Sequence, residues 1–204
     1  MDQTMTKKPK RTSTGGRNQL RIIGGHWRGR KLGFPDLPGL RPTPDRIRET
    51  LFNWLQQQVP GARCLDLFAG SGALGLEALS RGAAGATLVD SAPAVVSQLR
   101  ANLALLGTGD AEVRLASVPG WLAQPAPQPF DLVFLDPPFR QELLGPCCAQ
   151  LEANGYLSPQ AFIYLEAERE LGEPPVPGNW RLHRHARAGQ VSCYLFQREG
   201  DAGL

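Results

Sequence analysis

Two short segments of this 204-residue chain carry side chains that could do chemistry together. The first is Asp136-Pro137-Pro138-Phe139, which follows an apolar run at 130–135. The prolines make this turn rigid, because Pro fixes φ and keeps the preceding residue out of the helical region. Asp136 and the Pro137 carbonyl could then accept both hydrogens of an –NH2 group while Phe139 stacks on the attached heterocycle. An exocyclic amine is a poor nucleophile, so such a site would act by orienting it and stabilising positive charge on its nitrogen.

The second segment is a glycine-rich loop between a predicted strand and a predicted helix. Gly70, Gly72 and Gly75 form a G-x-G-x-x-G motif, and Asp90 ends the next strand. Glycines allow a tight turn and a close ligand, and the helix N-terminus offers unpaired N–H groups. This order predicts a nucleotide-like ligand whose ribose hydroxyls bond to Asp90. Asp66 stands just before the loop, where a carboxylate disfavours a pyrophosphate and suits a cationic ligand such as S-adenosylmethionine.

A mainly parallel sheet would bring these two segments together. Short apolar runs alternate with helical periodicities from residue 63 onward, which is typical of βαβ units with helices on both faces of the sheet. Ligands of such sheets bind at the carboxyl ends of the strands. The predicted strands are 63–68, 86–90, 112–116, 130–136, 161–166, 180–185 and 191–197, the last two forming an antiparallel hairpin, and the predicted helices are 73–81, 94–106 and 142–153.

A basic extension precedes the sheet. Residues 1–31 contain nine Lys and Arg and a single acid, whereas the rest of the chain has 13 basic and 18 acidic residues. This asymmetry indicates a polyanionic partner, although a solvated tail is the alternative. The extension is predicted to hold a hairpin over 20–34 and a helix that Thr43 caps and that runs to about Gln58. The predicted division is a disordered basic tail at 1–19, the extension at 20–58, the α/β domain at 59–199 and a flexible end at 200–204.

Composition excludes several classes of protein. With 42% hydrophobic residues the chain can form a core, so it is predicted to fold. Its four cysteines lack C-x-x-C spacing and are predicted to be reduced packing residues, and its three histidines show no metal-ligand spacing, so no metal site is predicted. The absence of an apolar leader or of ~20 consecutive apolar residues predicts a soluble, cytoplasmic protein away from membranes, and a monomer is expected.

The two segments together resemble class I S-adenosylmethionine-dependent methyltransferases, a Rossmann-like fold, that modify exocyclic amines. More narrowly, residues 20–199 resemble the RsmD family of bacterial 16S ribosomal RNA (guanine-N2)-methyltransferases. The segments that carry this resemblance are Arg21-Ile22-Ile23-Gly24-Gly25, Trp27-Arg28-Gly29-Arg30-Lys31-Leu32, Arg41-Pro42-Thr43, Asp45-Arg46, Arg48-Glu49-Thr50-Leu51-Phe52-Asn53-Trp54-Leu55 and Ala188-Gly189-Gln190-Val191.

The resemblance implies methyl transfer to the 2-amino group of one guanine in 16S rRNA, on the 30S subunit or its assembly intermediate. It implies a catalytic role for Asp136, Pro137 and Phe139. The residues expected to bind S-adenosylmethionine are Asp66, Phe68, Ala69, Gly70, Ser71, Gly72, Asp90 and Ser117. The residues expected to bind RNA phosphates are Arg28, Arg30, Lys31, Arg41 and Arg46, with Arg48 as a weaker candidate. Asp90 stands where the family usually has Glu, and Ser117 where it tends to have Asn or Asp.

Three other functions are consistent with parts of the sequence. A DNA adenine-N6 methyltransferase would use the same Asp-Pro-Pro-Phe chemistry, but 204 residues leave little room for a target-recognition region. An NAD-dependent oxidoreductase would use the glycines and leave Asp66 and Asp136 unexplained. A noncatalytic RNA-binding assembly factor would keep the fold without turnover.

Overall fold

Residues 18–139 and 141–200 are described by a computed structural model of the chain. The helices are α1 (Asp45–Trp54), α2 (Gly75–Ser80), α3 (Pro93–Leu106), α4 (Val118–Leu122) and α5 (Leu144–Ala153). The strands are β1 (Gln19–Arg21), β2 (Lys31–Gly33), β3 (Arg63–Leu67), β4 (Gly85–Asp90), β5 (Ala111–Leu115), β6 (Phe130–Leu135), β7 (Leu157–Glu168), β8 (Trp180–Ala188) and β9 (Val191–Arg198). Residues 1–17 of the predicted tail lie outside the described residues, and Gln19 at its end belongs to β1. Residues 201–204 of the predicted flexible end also lie outside the described residues.

The main sheet has the strand order β5-β4-β3-β6-β7-β9-β8. Its first five strands are parallel, and β9 pairs antiparallel with both β7 and β8. The predicted parallel sheet with a C-terminal antiparallel hairpin is therefore confirmed. The chain leaves β3 toward β4 on one side and later returns to β6 on the other, which makes the carboxyl ends of β3 and β6 the point where the strand order reverses.

Helices cover both faces of this sheet. One hydrophobic cluster joins α1, α2 and α3 to the sheet face that carries Cys64, Phe134 and Tyr164. A second cluster joins α4 and α5 to the opposite face, which carries Leu65 and Val133. All four cysteines are free and buried in these clusters, as predicted. No helix within the described ranges is long and apolar enough to cross a membrane.

The N-terminal hairpin β1–β2 is fixed to α2 by one carboxylate. Glu77 is fully buried and accepts hydrogen bonds from the backbone N–H groups of Ile23 (2.9 Å) and Gly24 (2.7 Å). Beside it, Gly25 has φ +74°, and a Cβ there would lie 1.8 Å from the Ser80 carbonyl oxygen. Only glycine fits this position, because it combines a positive φ with close backbone contact. The hairpin is therefore held closely against the α/β domain.

Two local predictions were wrong, and one helix was missed. Thr43 does not cap α1, which begins after Pro44 with no side-chain cap and ends at Trp54 rather than Gln58. The short helix α4 was not predicted, because Pro119 and Gly120 interrupt any apolar periodicity. Strand β7 begins at Leu157, four residues early, and its pairing with β6 shifts register between Phe130 and Leu132. Such an irregularity accommodates Pro159, which cannot donate a ladder hydrogen bond.

Candidate active site

The predicted site residues converge on one edge of the sheet. Asp66 lies near the end of β3, Asp90 ends β4, Ser117 follows β5 and Asp136 follows β6. These four strands are neighbours and parallel, so their carboxyl ends share an edge. The glycine loop leaves the same edge after β3. The structure thus brings both chemistry-bearing segments to the place where the strand order reverses.

The loop after β3 has a strained backbone. Phe68 has φ +64°, which is unusual for a residue with a bulky side chain, and Gly70 and Gly72 have φ +52° and +78°. Two hydrogen bonds fix this turn, from the Ala69 N–H to the Val89 carbonyl (2.9 Å) and from the Gly72 N–H to the Ala69 carbonyl (2.7 Å). Conformations of this kind persist where the surrounding structure enforces them, commonly at ligand sites.

Asp66 is a buried acid that forms no ion pair with a Lys or Arg of residues 18–139 and 141–200. Its side chain is 3% exposed, and its carboxylate accepts a hydrogen bond from the Gly75 N–H at 2.8 Å. Burial raises the pKa of Asp66 to about 7, the Gly75 hydrogen bond opposes the shift, and the charges of Asp136 and Asp90 add to it. The carboxylate therefore connects β3 to the start of α2 and retains unused acceptor positions.

Both carboxylate oxygens of Asp90 accept hydrogen bonds from backbone N–H groups. One accepts a hydrogen bond from the Gly70 N–H and the other from the Ala92 N–H, each at 2.9 Å. The glycine loop is thereby tied to the end of β4. Each oxygen still has a free lone pair. Asp90, although shorter than the Glu usual in the family, can therefore hold the loop and also accept a ligand hydroxyl.

The Asp-Pro-Pro-Phe segment leaves β6 as predicted, in an extended turn. Asp136 is half-buried and Pro137 buried, whereas Phe139 is 44% exposed. Burial raises the pKa of Asp136 above its ordinary value. The turn thus carries an exposed aromatic ring three residues after a carboxylate whose pKa is raised.

Glu166 on β7 is a residue of this site that the sequence did not single out. Leu135 pairs with Leu165 across β6 and β7, which places Glu166 beside Asp136. Glu166 is 4% exposed and accepts a hydrogen bond from the Tyr164 hydroxyl at 2.9 Å. Burial and the Asp136 charge raise the pKa of Glu166, while hydrogen bonds from Tyr164 and from Thr43 oppose the shift. Its one sequence signal was a charged residue ending an otherwise apolar strand.

Thr43 has a different role from the one predicted. It is buried, its hydroxyl bonds to Glu166, and its carbonyl accepts a hydrogen bond from the Arg48 Nε at 3.1 Å. The segment before α1 is therefore part of the site edge. Leu40 of this segment lies against the glycine loop, since a Cβ on Gly70 would lie 2.8 Å from its Cδ1.

The charge of the site suits a cationic ligand. Among the described residues, no Lys or Arg forms an ion pair with Asp66, Asp90, Asp136 or Glu166. Buried carboxylates left without cations are unfavourable, and a positively charged ligand would compensate them. A pyrophosphate would instead add to the negative charge. The donor set thus fits S-adenosylmethionine and does not fit a dinucleotide.

The five predicted RNA-binding cations are exposed and fall into two groups. Arg28, Arg30 and Lys31 lie on the hairpin, where the Arg30 guanidinium donates to the Leu105 carbonyl at 3.0 Å. Leu105 is near the end of α3, about 18 Å of helix away from the site edge where α3 begins. The other two, Arg41 and Arg46, flank Thr43 beside the site. The cations thus extend from the site edge to the opposite end of α3.

Arg48 does not belong to this surface. Its side chain is 1% exposed, and its guanidinium binds Asp45 (2.5 Å) and Glu77 (3.3 Å). It is neither a phosphate contact nor part of a solvated helix face. The helical periodicity predicted that α1 packs on the sheet but could not show that one of its arginines would pair with a buried acid of α2.

Known proteins match this chain over nearly all of the described residues. The family model described as "Conserved hypothetical protein 95" matches residues 20–197. The ribosomal RNA small subunit methyltransferase D of Escherichia coli K12 is 57% identical over 193 residues, 95% of this chain and 96% of that protein. The protein of that name from Haemophilus influenzae is 46% identical over 185 residues, 89% and 95% of the two chains. The solved structure of Escherichia coli yhhF superposes with a TM-score of 0.85 at 56% identity, covering 89% of this chain and 99% of that one.

Proposed function

The chain belongs to the RsmD family, a family of class I methyltransferases with relatives named for small subunit ribosomal RNA, and we propose that it methylates the N2 amine of a guanine in 16S rRNA with S-adenosylmethionine as donor. The observation that carries this proposal is the position of Asp136 and Pro137. They follow β6 at the point of strand-order reversal, beside acids that form no ion pair with any Lys or Arg of the described residues.

The residues that would hold the cofactor lie in the glycine loop and at the carboxyl ends of β3, β4 and β5. When bound, S-adenosylmethionine supplies a methyl group on a positively charged sulfur. Asp66 provides negative charge toward the cationic part of the cofactor, and the free lone pairs of Asp90 accept ribose hydroxyls. Ser117, exposed after β5, offers a hydroxyl on the adenine side.

The residues that would act on the guanine are those after β6. The Asp136 carboxylate and the Pro137 carbonyl accept the two N–H groups of the amine, and Phe139 stacks on the purine. Holding the amine in this way directs the nitrogen lone pair and stabilises the positive charge that develops on it. The amine loses one proton overall, and the Asp136 carboxylate is the nearest acceptor, with Glu166 beside it.

The RNA would reach this edge as an unpaired nucleotide. A guanine stacked in a helix hides its amino group, so the base must be flipped out or already single-stranded. The cations of the 20–58 extension would bind phosphates and position the RNA without reading its sequence. The partner proposed is accordingly 16S rRNA in the 30S subunit or its assembly intermediate.

One experiment distinguishes this proposal from its rivals. The protein is incubated with isotopically labelled S-adenosylmethionine and unmodified 30S subunits, free 16S rRNA or duplex DNA, and the labelled nucleoside is identified by mass spectrometry. We expect N2-methylguanosine from 16S rRNA. N6-methyladenine from DNA would establish the DNA enzyme instead. Absence of turnover on every substrate, with RNA binding retained, would establish a noncatalytic factor.

A further inference from the structure

A cleft of about 400 Å³ lies beside the site, between α1 and the turn that joins β8 to β9. Arg46, Ile47 and Thr50 line its helical side, and Arg187 and Ala188 line the side of the turn. None of the cofactor or catalytic residues proposed above lines it. Of the residues proposed above, Arg46 alone lines it, as a contact to RNA phosphate.

The cleft lies near the sheet edge that carries Asp136. Tyr164 forms part of its lining, and the Tyr164 hydroxyl bonds to Glu166, which lies beside Asp136. Glu166 lies two residue steps along β7 from Tyr164, which is about 7 Å. The turn is on the same edge of the sheet, because Val191 at the start of β9 pairs with Glu168 at the end of β7. An RNA strand that presents a base to Asp136 could therefore reach the cleft.

The lining combines cations with apolar and aromatic surface. Arg46 and Arg187 are both exposed, and within the described part of the chain neither guanidinium has a side-chain or carbonyl partner. Between them lie Ile47 and the half-buried Trp54, and the fully buried Tyr164 forms part of the wall behind. Positive charge at a rim with aromatic and apolar surface inside is the arrangement that binds single-stranded nucleic acid.

We infer that this cleft binds the nucleotides of single-stranded rRNA next to the target guanine, with Arg46 and Arg187 on their phosphates and a base against the apolar lining. The inference rests on the proposed function and extends its RNA contacts to the β8–β9 turn. It places RNA along α1 on the far side of Glu166 from the cofactor loop.

The test distinguishes the contribution of the cleft's positive charge from that of its free volume. Arg187→Ala removes one cation, and Ala188→Phe fills the cleft without changing charge. Arg181→Ala is the matched control, since Arg181 is an exposed arginine of the same strand that is ion-paired with Glu199. Each variant is compared with the wild type for KM and kcat on unmodified 30S subunits, for affinity to protein-free 16S rRNA at several salt concentrations, and for affinity to S-adenosylmethionine.

We expect both cleft variants to raise KM about fivefold or more, with kcat and cofactor affinity unchanged. The salt dependence of binding should become shallower by about one for Arg187→Ala and stay the same for Ala188→Phe. Arg181→Ala should match the wild type. Wild-type KM in both cleft variants would overturn the inference while leaving the proposed function intact. Weakened binding to 30S subunits with normal binding to free rRNA would also overturn it, since the occupant would then be a ribosomal protein. A wild type that makes no methylated nucleoside would contradict the proposed function itself.

Discussion

The Arg48 guanidinium of α1 lies 3.3 Å from the Glu77 carboxylate of α2, and both side chains are buried. The same carboxylate binds the backbone of the N-terminal hairpin and the Arg81 side chain at 2.7 Å. Three segments of the chain thus depend on one acid. This group thus fixes the extension, which carries the cations proposed to bind RNA, to the domain that carries the site.

Substituting Glu77→Ala should destabilise the protein strongly. Removing Glu77 leaves the buried Arg48 with Asp45 as its remaining carboxylate partner and leaves the Ile23 and Gly24 N–H groups without their acceptor, which together cost about 3–5 kcal/mol. Urea unfolding measures the effect. Glu112→Ala is the control, because the Glu112–Arg114 pair is about half exposed and such pairs contribute about 1 kcal/mol or less. Equal losses in the two variants would show that the Glu77 interactions do not hold the segments together.

Stability should decrease with pH through the ionisation of Asp66. The pKa of this group is about 7 in the folded protein against an ordinary value of 3.8. Because the folded state holds the proton more tightly, the contribution of Asp66 is fully present below about pH 4 and is lost as pH rises to about 7. Relative to Asp66→Asn, the wild type should therefore lose about 2–4 kcal/mol of unfolding free energy between pH 4 and pH 8.

The same titration should affect the cofactor. A cationic ligand favours the ionised carboxylate, so affinity for S-adenosylmethionine should rise between pH 6 and pH 8 in the wild type and much less in Asp66→Asn. Calorimetric titration at the two pH values measures this. Identical pH dependence in both proteins would show that Asp66 does not face the positive charge of the cofactor.

The hairpin cations should contribute to RNA binding and not to chemistry. The double substitution Arg28→Ala with Lys31→Ala is expected to raise KM for 30S subunits about tenfold and to reduce the salt dependence by about two, with kcat unchanged. Charge substitution is preferable to deleting the hairpin, because Ile22 and Leu32 are buried in the core. The control is Arg114→Ala, an exposed cation on β5. A lower kcat with normal KM would contradict this role.

The fold could be predicted from the sequence to the extent that periodicity determines it. The alternation of apolar runs and helical periodicities predicted the parallel sheet, and Gly189 between two predicted strands indicated the C-terminal hairpin. Periodicity could not give α4, whose Pro119 and Gly120 are poor helix residues, nor the cap of α1, because Thr43 bonds to a side chain distant in sequence.

The site could be predicted where a motif is contiguous. The glycine loop and Asp136-Pro137 each read as a local unit, and parallel strands explain why they meet. Glu166 and Glu77 could not be recognised in the same way. Their roles depend on partners on other elements, namely Asp136 and Tyr164 for the first and Arg48 with the hairpin backbone for the second.

The central claim is that the Asp136 carboxylate accepts a hydrogen bond from the amine that receives the methyl group. Its most direct test is the single-turnover rate of N2-methylguanosine formation on 30S subunits with saturating S-adenosylmethionine. We expect Asp136→Ala to lower this rate about 10²–10³-fold, with cofactor affinity unchanged. Asp136→Asn, which keeps one acceptor oxygen and loses the charge, should give an intermediate rate. A rate in Asp136→Ala within about threefold of the wild type would contradict the claim.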